Sequence, residues 1–275
     1  MRRLASHLPR LAGAGLSCRN RELGGDVAMM TSALVRKLLN FTPLSQGDRD
    51  ALQKIGDERV RRFPAHTDVI QEGEATRNMF LVLSGWACRY KQLENGRRQI
   101  VAFFLPGDLC DLDVLILRKM DHSIGTLTPV TMAELSQAAL DELLLGYPRV
   151  ALGLRWESLV NIAIQREWTV NLGQRNAYER IAHLLCELVF RLRSIGLVHE
   201  DRCEFPLTQI ELADVMGMSA VHVNRTLQEL RGAGLIILRD RMLTVPRLPD
   251  LMAASMFNPA YLHLDREGHE RGVSE

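Results

Sequence analysis

The chain has 275 residues, with 34 lysines and arginines against 33 aspartates and glutamates, and a formal net charge of +1. This length is sufficient for two domains. A net charge so close to zero does not by itself point to nucleic acid or membrane as a partner. No run of about 18 apolar residues occurs, which excludes an ordinary transmembrane helix.

The cysteines and the first residues bear on cofactors and location. The five cysteines contain no CxxC pair, which argues against zinc and iron–sulfur sites because these usually need clustered thiolates. An odd cysteine count without a secretory signal predicts a cytoplasmic protein. Cys110 and Cys203 are candidate redox switches, but the expected role of each is a small buried core residue. Residues 1–31 predict a disordered extension, or translation that begins at Met29 or Met30.

Residues 32–146 form the first predicted domain. After a short helical lead-in, brief apolar runs alternate with turn signals at Gly73, Gly85 and Gly107. Asn95 followed by glycine is a strong signal for a tight β-hairpin. Several short strands at close spacing predict a small barrel or sandwich.

A long helix is predicted over residues 147–173, since Pro148 is well suited to a first helical position. Its apolar residues form more than one stripe, and a second stripe needs a second partner. That partner is either the same helix of another copy or a second domain of this chain. The stripe that we assign to a dimer contact comprises Leu152, Trp156, Leu159, Ala163 and Val170.

The stretch over residues 207–236 predicts two helices separated by a sharp turn. Thr208 and Glu211 have the spacing of a capping box, which starts the first helix. Gly217 permits the left-handed backbone that ends a helix abruptly. Ser219 can then cap the second helix.

The second of these helices has the pattern of a DNA-reading helix. Val223 and Leu227 are four residues apart and face inward, which leaves a polar outer face. Residues 237–245 read as a two-stranded wing around a polar turn. We therefore predict a winged helix-turn-helix over residues 174–249, with a plain helical hairpin as the alternative. Residues 250–275 are expected to be a peripheral tail.

Three separated segments carry a resemblance to a known family, in the order GWACRYKQLENGRRQIVAFFLPGDL, RIAHLLCEL and SAVHVNRTLQELRGAGLI. Over roughly residues 33–247 the chain resembles the Crp/Fnr superfamily of bacterial transcription regulators. The resemblance implies an α+β fold with an N-terminal jelly-roll-like β-roll, a long dimerisation helix and a C-terminal winged helix-turn-helix. It also implies a homodimer on an inverted repeat in double-stranded DNA, RNA polymerase as a partner, and no membrane.

The resemblance assigns roles along the recognition helix. Arg225 stands where relatives contact a base, and a guanidinium matches guanine O6 and N7, although a phosphate contact is the alternative. Ala220 and Val221 are apolar where relatives often carry arginine or glutamate, so we expect a half-site different from those of the two founding members of the family. An apolar side chain can still contact the methyl group of thymine. Asn224 suits adenine or a phosphate, and His222 suits phosphates or the core.

The side chains expected to hold the DNA backbone and set the register, without reading sequence, are Thr208, Gln209, Ser219, Arg239 and Arg241. The complete set expected to contact DNA is Thr208, Gln209, Ser219, Ala220, Val221, His222, Asn224, Arg225, Gln228, Arg239 and Arg241.

The sequence does not identify the effector of the β-roll. Relatives that bind cyclic nucleotides have a Gly-Glu pair after the GD turn and an Arg-Ser or Arg-Thr pair later. Here Asp111 and Leu112 replace the first pair and His122 and Ser123 the second. An aspartate beside a phosphate is repulsive, so we expect no cyclic AMP binding, while haem remains undetermined. The candidate effector pocket comprises Cys110, Asp111, Leu112, His122 and Ser123.

Two other classes of protein are the alternatives to a DNA-binding regulator. The sequence contains no nucleophile elbow, P-loop, HExxH motif or dinucleotide fingerprint, so we do not expect an enzyme. A ligand-sensing module whose C-terminal domain contacts a partner protein is the other alternative. Salt-dependent, sequence-specific DNA binding distinguishes a regulator from both.

Overall fold

The computed structural model describes residues 33–56, 59–75, 78–110 and 119–264. Within these ranges the chain forms a β-roll, a long helix and a C-terminal helical domain with a small sheet. No helix of the described ranges is long and apolar enough to cross a membrane. The predictions for residues 1–31, for Asp111 and Leu112, and for residues 265–275 lie outside the described residues.

In the described residues, two helices precede the eight strands of the β-roll, and six helices with three short strands among them follow. The helices are α1 (33–39), α2 (Gln46–Gly56), α3 (Gln137–Gly146), α4 (Pro148–Gln174), α5 (Ala177–Ser194), α6 (Gln209–Met216), α7 (Ala220–Gly232) and α8 (Leu248–Ser255), followed by a 3-10 turn (Pro259–Leu262). The strands are β1 (Arg59–Phe63), β2 (Asp68–Ile70), β3 (Asn78–Ser84), β4 (Ala87–Gln92), β5 (Arg98–Phe104), β6 (Leu109–Cys110), β7 (Ser123–Thr126), β8 (Val130–Ser136), β9 (Arg202–Glu204), β10 (Ile237–Arg239) and β11 (Met242–Thr244).

The β-roll consists of two four-stranded antiparallel sheets, with strand orders β1-β8-β3-β6 and β2-β7-β4-β5. This architecture confirms the prediction of a small sandwich of short strands. Two of the turns require glycine. A Cβ at Gly85 would lie 2.2 Å from the carbonyl oxygen of Pro129, and one at Gly107 would lie 2.8 Å from the backbone of Ala33. Both glycines also have positive φ, which side chains with a Cβ rarely adopt.

Helix α4 begins at Pro148, as predicted, and spans 27 residues. One face is buried, and it includes Val160 and Trp168. The opposite face is exposed and carries Leu152 and Leu159, at 49% and 52% exposure. Of the predicted dimer residues, Val170 also lies on the exposed side, at 45%.

Two residues of the predicted dimer stripe need correction. Ala163 is only 7% exposed, and the ring of Trp156 stacks on Phe41 with 6.5 Å between the centroids. Both side chains therefore pack within their own chain. Ile162, at 51% exposure, lies beside Leu159 on the open face instead.

The C-terminal domain has the predicted helices and wing, and one strand more. The spacing of Asn176 and Glu179 predicts a capping box, and the two residues form one at the start of α5. Strands β10 and β11 form the wing, and β9 joins them in the order β10-β11-β9. Strand β9 has only three residues, of which Cys203 alone is buried, too short a pattern to recognise from sequence.

The prediction of a peripheral tail is wrong for residues 250–264. Helix α8 and the turn after it bury Leu251, Phe257 and Leu262. The hydroxyl of Tyr261 donates a hydrogen bond to Glu187 of α5 at 2.9 Å. The sequence predicts that the domain ends at Pro249, but proline is also favoured at the start of a helix, and here it lies in the first turn of α8.

Candidate nucleic-acid interface

The turn between α6 and α7 is built by the predicted capping residues. The hydroxyl of Thr208 accepts a hydrogen bond from the backbone N–H of Glu211, whose carboxylate accepts one from the N–H of Thr208 at 2.7 Å. Gly217 ends α6 with φ 62° and ψ 38°. The Ser219 side chain accepts from the N–H of His222 at 3.3 Å and so caps α7. These local predictions are confirmed.

Helix α7 has one buried and one open face. Val223, Leu227 and Leu230 are buried against the domain. Arg225 and Val221 point away from it and are exposed, Arg225 through 68% of its side chain and Val221 through 81% of the residue. The face that a major groove would meet is therefore free of contacts with the described part of the chain's own core.

Side chains at the open face of α7 are held by neighbours on and beside that helix. The Gln209 amide of α6 donates to the Asn224 side-chain oxygen at 3.3 Å. The Arg225 guanidinium lies 3.8 Å from the Glu229 carboxylate one turn later. Such an exposed pair contributes little to stability, but it directs the arginine along the helix surface. His222 is half-buried.

The wing is tied to the recognition helix. Arg231, in the last turn of α7, donates to the carbonyl of Leu238 in β10 at 2.6 Å. Arg239 and Arg241 lie on either side of the wing turn, and the Arg239 side chain is 85% exposed. The structure thus distributes the predicted contact residues over the N-termini of α6 and α7, the open face of α7 and the wing.

The β-roll holds the helix-turn-helix through contacts that the sequence did not suggest. On β5, Arg98 donates to the Asp214 carboxylate of α6 at 2.8 Å, and the Gln99 amide donates to the carbonyl of Val215 at 2.9 Å. We call these two hydrogen bonds the β5–α6 contact. They fix the bracing helix of the DNA-reading unit directly on the sensor sheet.

A cluster of four charged residues lies where α1, the β-roll, α4 and α5 meet. Asp108 accepts from Lys37 at 2.5 Å and from Arg191 at 2.9 Å, and Lys37 also contacts Glu157. We call these residues the junction cluster. Burial alone would raise the pKa of Asp108, but the charges of Lys37 and Arg191 hold that pKa below its usual value. Burial likewise raises the pKa of Glu157, an effect that Lys37 opposes.

A cavity of about 170 Å³ opens beside the junction cluster. It lies between the β-roll, α4 and α5, and it has both charged and apolar walls. Residues lining it include Arg89, Phe104, Glu157, Asn161, Gln165 and Arg191. The sequence did not point to this group because its members come from four separate elements.

Two family models match the two halves of this architecture. The cyclic nucleotide-binding domain matches residues 60–147, and the Crp-like helix-turn-helix domain matches residues 179–254. The chain is 27% identical over 218 residues to the nitrogen fixation regulation protein FixK of Bradyrhizobium diazoefficiens, an alignment that covers 79% of this chain and 87% of FixK. The chain belongs to the Crp/Fnr superfamily of transcriptional regulators.

Other relatives and a solved structure agree with this assignment. The transcriptional activator protein FnrL of Cereibacter sphaeroides is 27% identical over 184 residues, covering 66% of this chain and 73% of FnrL. The structure of FixK2 from Bradyrhizobium japonicum matches with a TM-score of 0.64 at 22% identity, covering 71% of this chain and 96% of that one. This structural match supports the Crp/Fnr fold.

The described members of the pocket predicted for this Crp/Fnr regulator do not line the cavity. Cys110, His122 and Ser123 are all buried, and none of them lines it. The His122 ring contacts Asp121 at 2.5 Å, and the Ser123 hydroxyl accepts from the N–H of Glu72 at 3.0 Å. Contacts with other residues of the β-roll therefore occupy these polar groups, whereas the cavity lies between the β-roll, α4 and α5.

Cys110 and Cys203 of this Crp/Fnr chain have the buried character expected of core residues. Cys110 and Cys203 are 1% and 2% exposed. Burial raises the pKa of Cys203 to about 11, and it raises the pKa of Cys110 further. Because the thiolate is the reactive form, such environments suppress thiol chemistry.

Proposed function

We propose that this Crp/Fnr transcriptional regulator acts as a homodimer that binds an inverted repeat in double-stranded DNA. The observation that carries the proposal is the open face of α7, where Asn224, Arg225 and Gln228 are exposed beside a capped helix N-terminus. A helix-turn-helix presents such a face to the base edges of the major groove. Thr208, Ser219, Arg239 and Arg241 suit contacts with the flanking phosphates.

An exposed apolar stripe on α4 supports the homodimer. Leu152, Leu159, Ile162 and Val170 are each between 45% and 52% exposed on one helix. Exposed apolar residues that share one face of a helix, here with Arg166 between Ile162 and Val170, are typical of a protein interface. A second copy of the chain offers the same stripe, and pairing the long helices would place two recognition helices on successive major grooves.

The experiment that tests the proposal is selection from a pool of random DNA duplexes at near-physiological salt, without an added effector. We expect enrichment of an inverted repeat with half-sites one helical turn apart, about 34 Å. Binding should weaken steeply as salt rises, because phosphate contacts release counterions. Enrichment of a sequence without an inverted repeat would contradict the proposal. So would the absence of any enriched sequence across the salt concentrations tested.

The dimer makes a separate prediction. Leu159→Glu should convert the protein to a monomer at micromolar concentration, because it places a charge within the apolar stripe. The measurement is sedimentation velocity across a concentration series. Leu145→Glu is the matched control, since Leu145 is 84% exposed on α3 and outside the stripe. A Leu159→Glu protein that sediments like the wild type would contradict this interface.

Arg225→Ala should weaken binding to the selected site by about 1–3 kcal/mol and relax the preference at one base pair. The physical reason is loss of a bidentate guanidinium–guanine contact. Titration against duplexes with every base at each position measures the effect. Arg225→Lys is the informative comparison, because it retains the charge but not the fork. Uniform weakening across all duplexes would assign Arg225 to a phosphate instead.

We propose that cyclic AMP is not the effector. By the family resemblance, His122 and Ser123 stand in place of the arginine pair that neutralises the phosphate, and the His122 ring is engaged by the Asp121 carboxylate. Calorimetric titration of the purified protein with cyclic AMP should show no binding at micromolar concentration, and a stoichiometric isotherm would refute this. No metal or cofactor is assigned, and haem remains an open ligand.

The cellular setting follows from the DNA target. We propose that the protein works in the cytoplasm, where bacterial DNA and RNA polymerase are found. RNA polymerase is the expected protein partner of a DNA-bound regulator of this family. We propose no enzymatic activity.

A further inference from the structure

One exposed apolar side chain stands out on the recognition helix. Val221 is 81% exposed, more than any other large hydrophobic residue in the described part of the C-terminal domain. It is the second residue of α7, after the Ser219 cap and Ala220. Its exposure means that it adds almost nothing to the core of this chain.

Valine is also an unfavourable residue for the first turn of a helix. The first turn of a helix favours acidic residues because of the helix dipole, yet the first turn of α7 contains none. Valine has a lower helix propensity than glutamate because its branched side chain is restricted. Neither packing nor helix stability therefore accounts for valine at this position.

The position of Val221 relates it to the bases. Arg225 is four residues later, so the two side chains lie on one face of α7, and both are exposed. The N-terminal residues of a recognition helix are those that contact base edges. A valine can neither donate nor accept a hydrogen bond. The apolar feature that the major groove offers to such a side chain is the C5-methyl group of thymine.

We infer that Val221 is a specificity-determining residue that selects thymine by packing against its C5-methyl group. The inference rests on the proposed function, since it requires α7 in the major groove. It adds one base position, chosen by shape and methyl contact, to the position that Arg225 reads by hydrogen bonding. Val221 then distinguishes thymine from cytosine through the methyl group.

The test removes that methyl group and nothing else. In one half-site of the selected duplex, each thymine is replaced in turn by deoxyuridine, which keeps every hydrogen-bonding group. We expect one replacement to weaken wild-type binding about fourfold, the amount for one buried methyl-sized group. With Val221→Ala, thymine and deoxyuridine at that position should bind equally. At the same position, 5-methylcytosine should bind the wild-type protein better than cytosine does.

Leu145→Ala is the matched control, because it shortens an even more exposed apolar side chain on α3, in the other domain. It should retain the full methyl dependence. Equal methyl dependence in wild type and Val221→Ala, or none at any thymine in the wild type, would overturn the inference while DNA binding stood. A wild-type protein that selected no duplex would overturn the proposed function and this inference together.

Discussion

Lys37→Met should destabilise the folded chain by about 3–5 kcal/mol, the cost of removing one partner from a buried ionic group. Lys37 contacts both Asp108 and Glu157, whose side chains are 9% and 2% exposed. Without Lys37, Asp108 would keep its ion pair with Arg191, and the buried Glu157 would lose the lysine that contacts it. Urea unfolding, followed by fluorescence and circular dichroism, measures the difference in unfolding free energy.

Lys54→Met is the control for this experiment. Lys54 lies 3.9 Å from Glu142, and the two side chains are 76% and 74% exposed. An exposed pair of this kind is worth less than about 1 kcal/mol. If the two methionine variants were equally stable, the junction cluster would be no more important than a surface ion pair. Adding Glu157→Gln to Lys37→Met should recover part of the loss, since it removes the stranded charge.

Phe257→Ala should also cost about 3–5 kcal/mol, the usual penalty for truncating a buried phenylalanine. The ring is 6% exposed and packs on His183 and Phe190, with centroids 4.9 Å and 5.3 Å away. Burial lowers the pKa of His183 to about 3, so its ring is neutral and packs as an aromatic group. Thermal and urea unfolding of the full chain measure the effect.

The adjacent residue supplies the control for Phe257. Met256 is 62% exposed, and Met256→Ala should change the unfolding free energy by less than about 0.5 kcal/mol. Similar small effects of both substitutions would mean that residues 250–264 are peripheral after all. A large effect of Phe257→Ala alone would show that this segment completes the core of the C-terminal domain.

The parts of this structure that the sequence predicted depend on neighbours along the chain. The Thr208 and Asn176 capping boxes each join residues three positions apart, and Gly217 acts through its own backbone. Short-range rules of this kind are readable without a fold. The recognition helix and its polar face follow from the same rules, which is why the proposed DNA interface could be outlined in advance.

The parts that were missed depend on residues far apart in sequence. Lys37 and Glu157 are separated by 120 positions, and Asp108 and Arg191 by 83. Helical periodicity identified two stripes on α4, but it could not tell that Trp156 would face Phe41 of its own chain. Local pattern gives the faces of a helix, whereas tertiary packing decides which face is covered.

The β5–α6 contact has a thermodynamic consequence. Rotating the helix-turn-helix away from the β-roll would break the hydrogen bonds from Arg98 and Gln99 to α6. Any ligand whose binding requires that rearrangement has the free energy of the rearrangement included in its free energy of binding. Linkage is reciprocal: if DNA binding requires this rearrangement, a molecule that alters the contact from the β-roll side is bound more tightly or more weakly, by the same factor, when the protein is on DNA. In that case the DNA site acts as an effector of the β-roll.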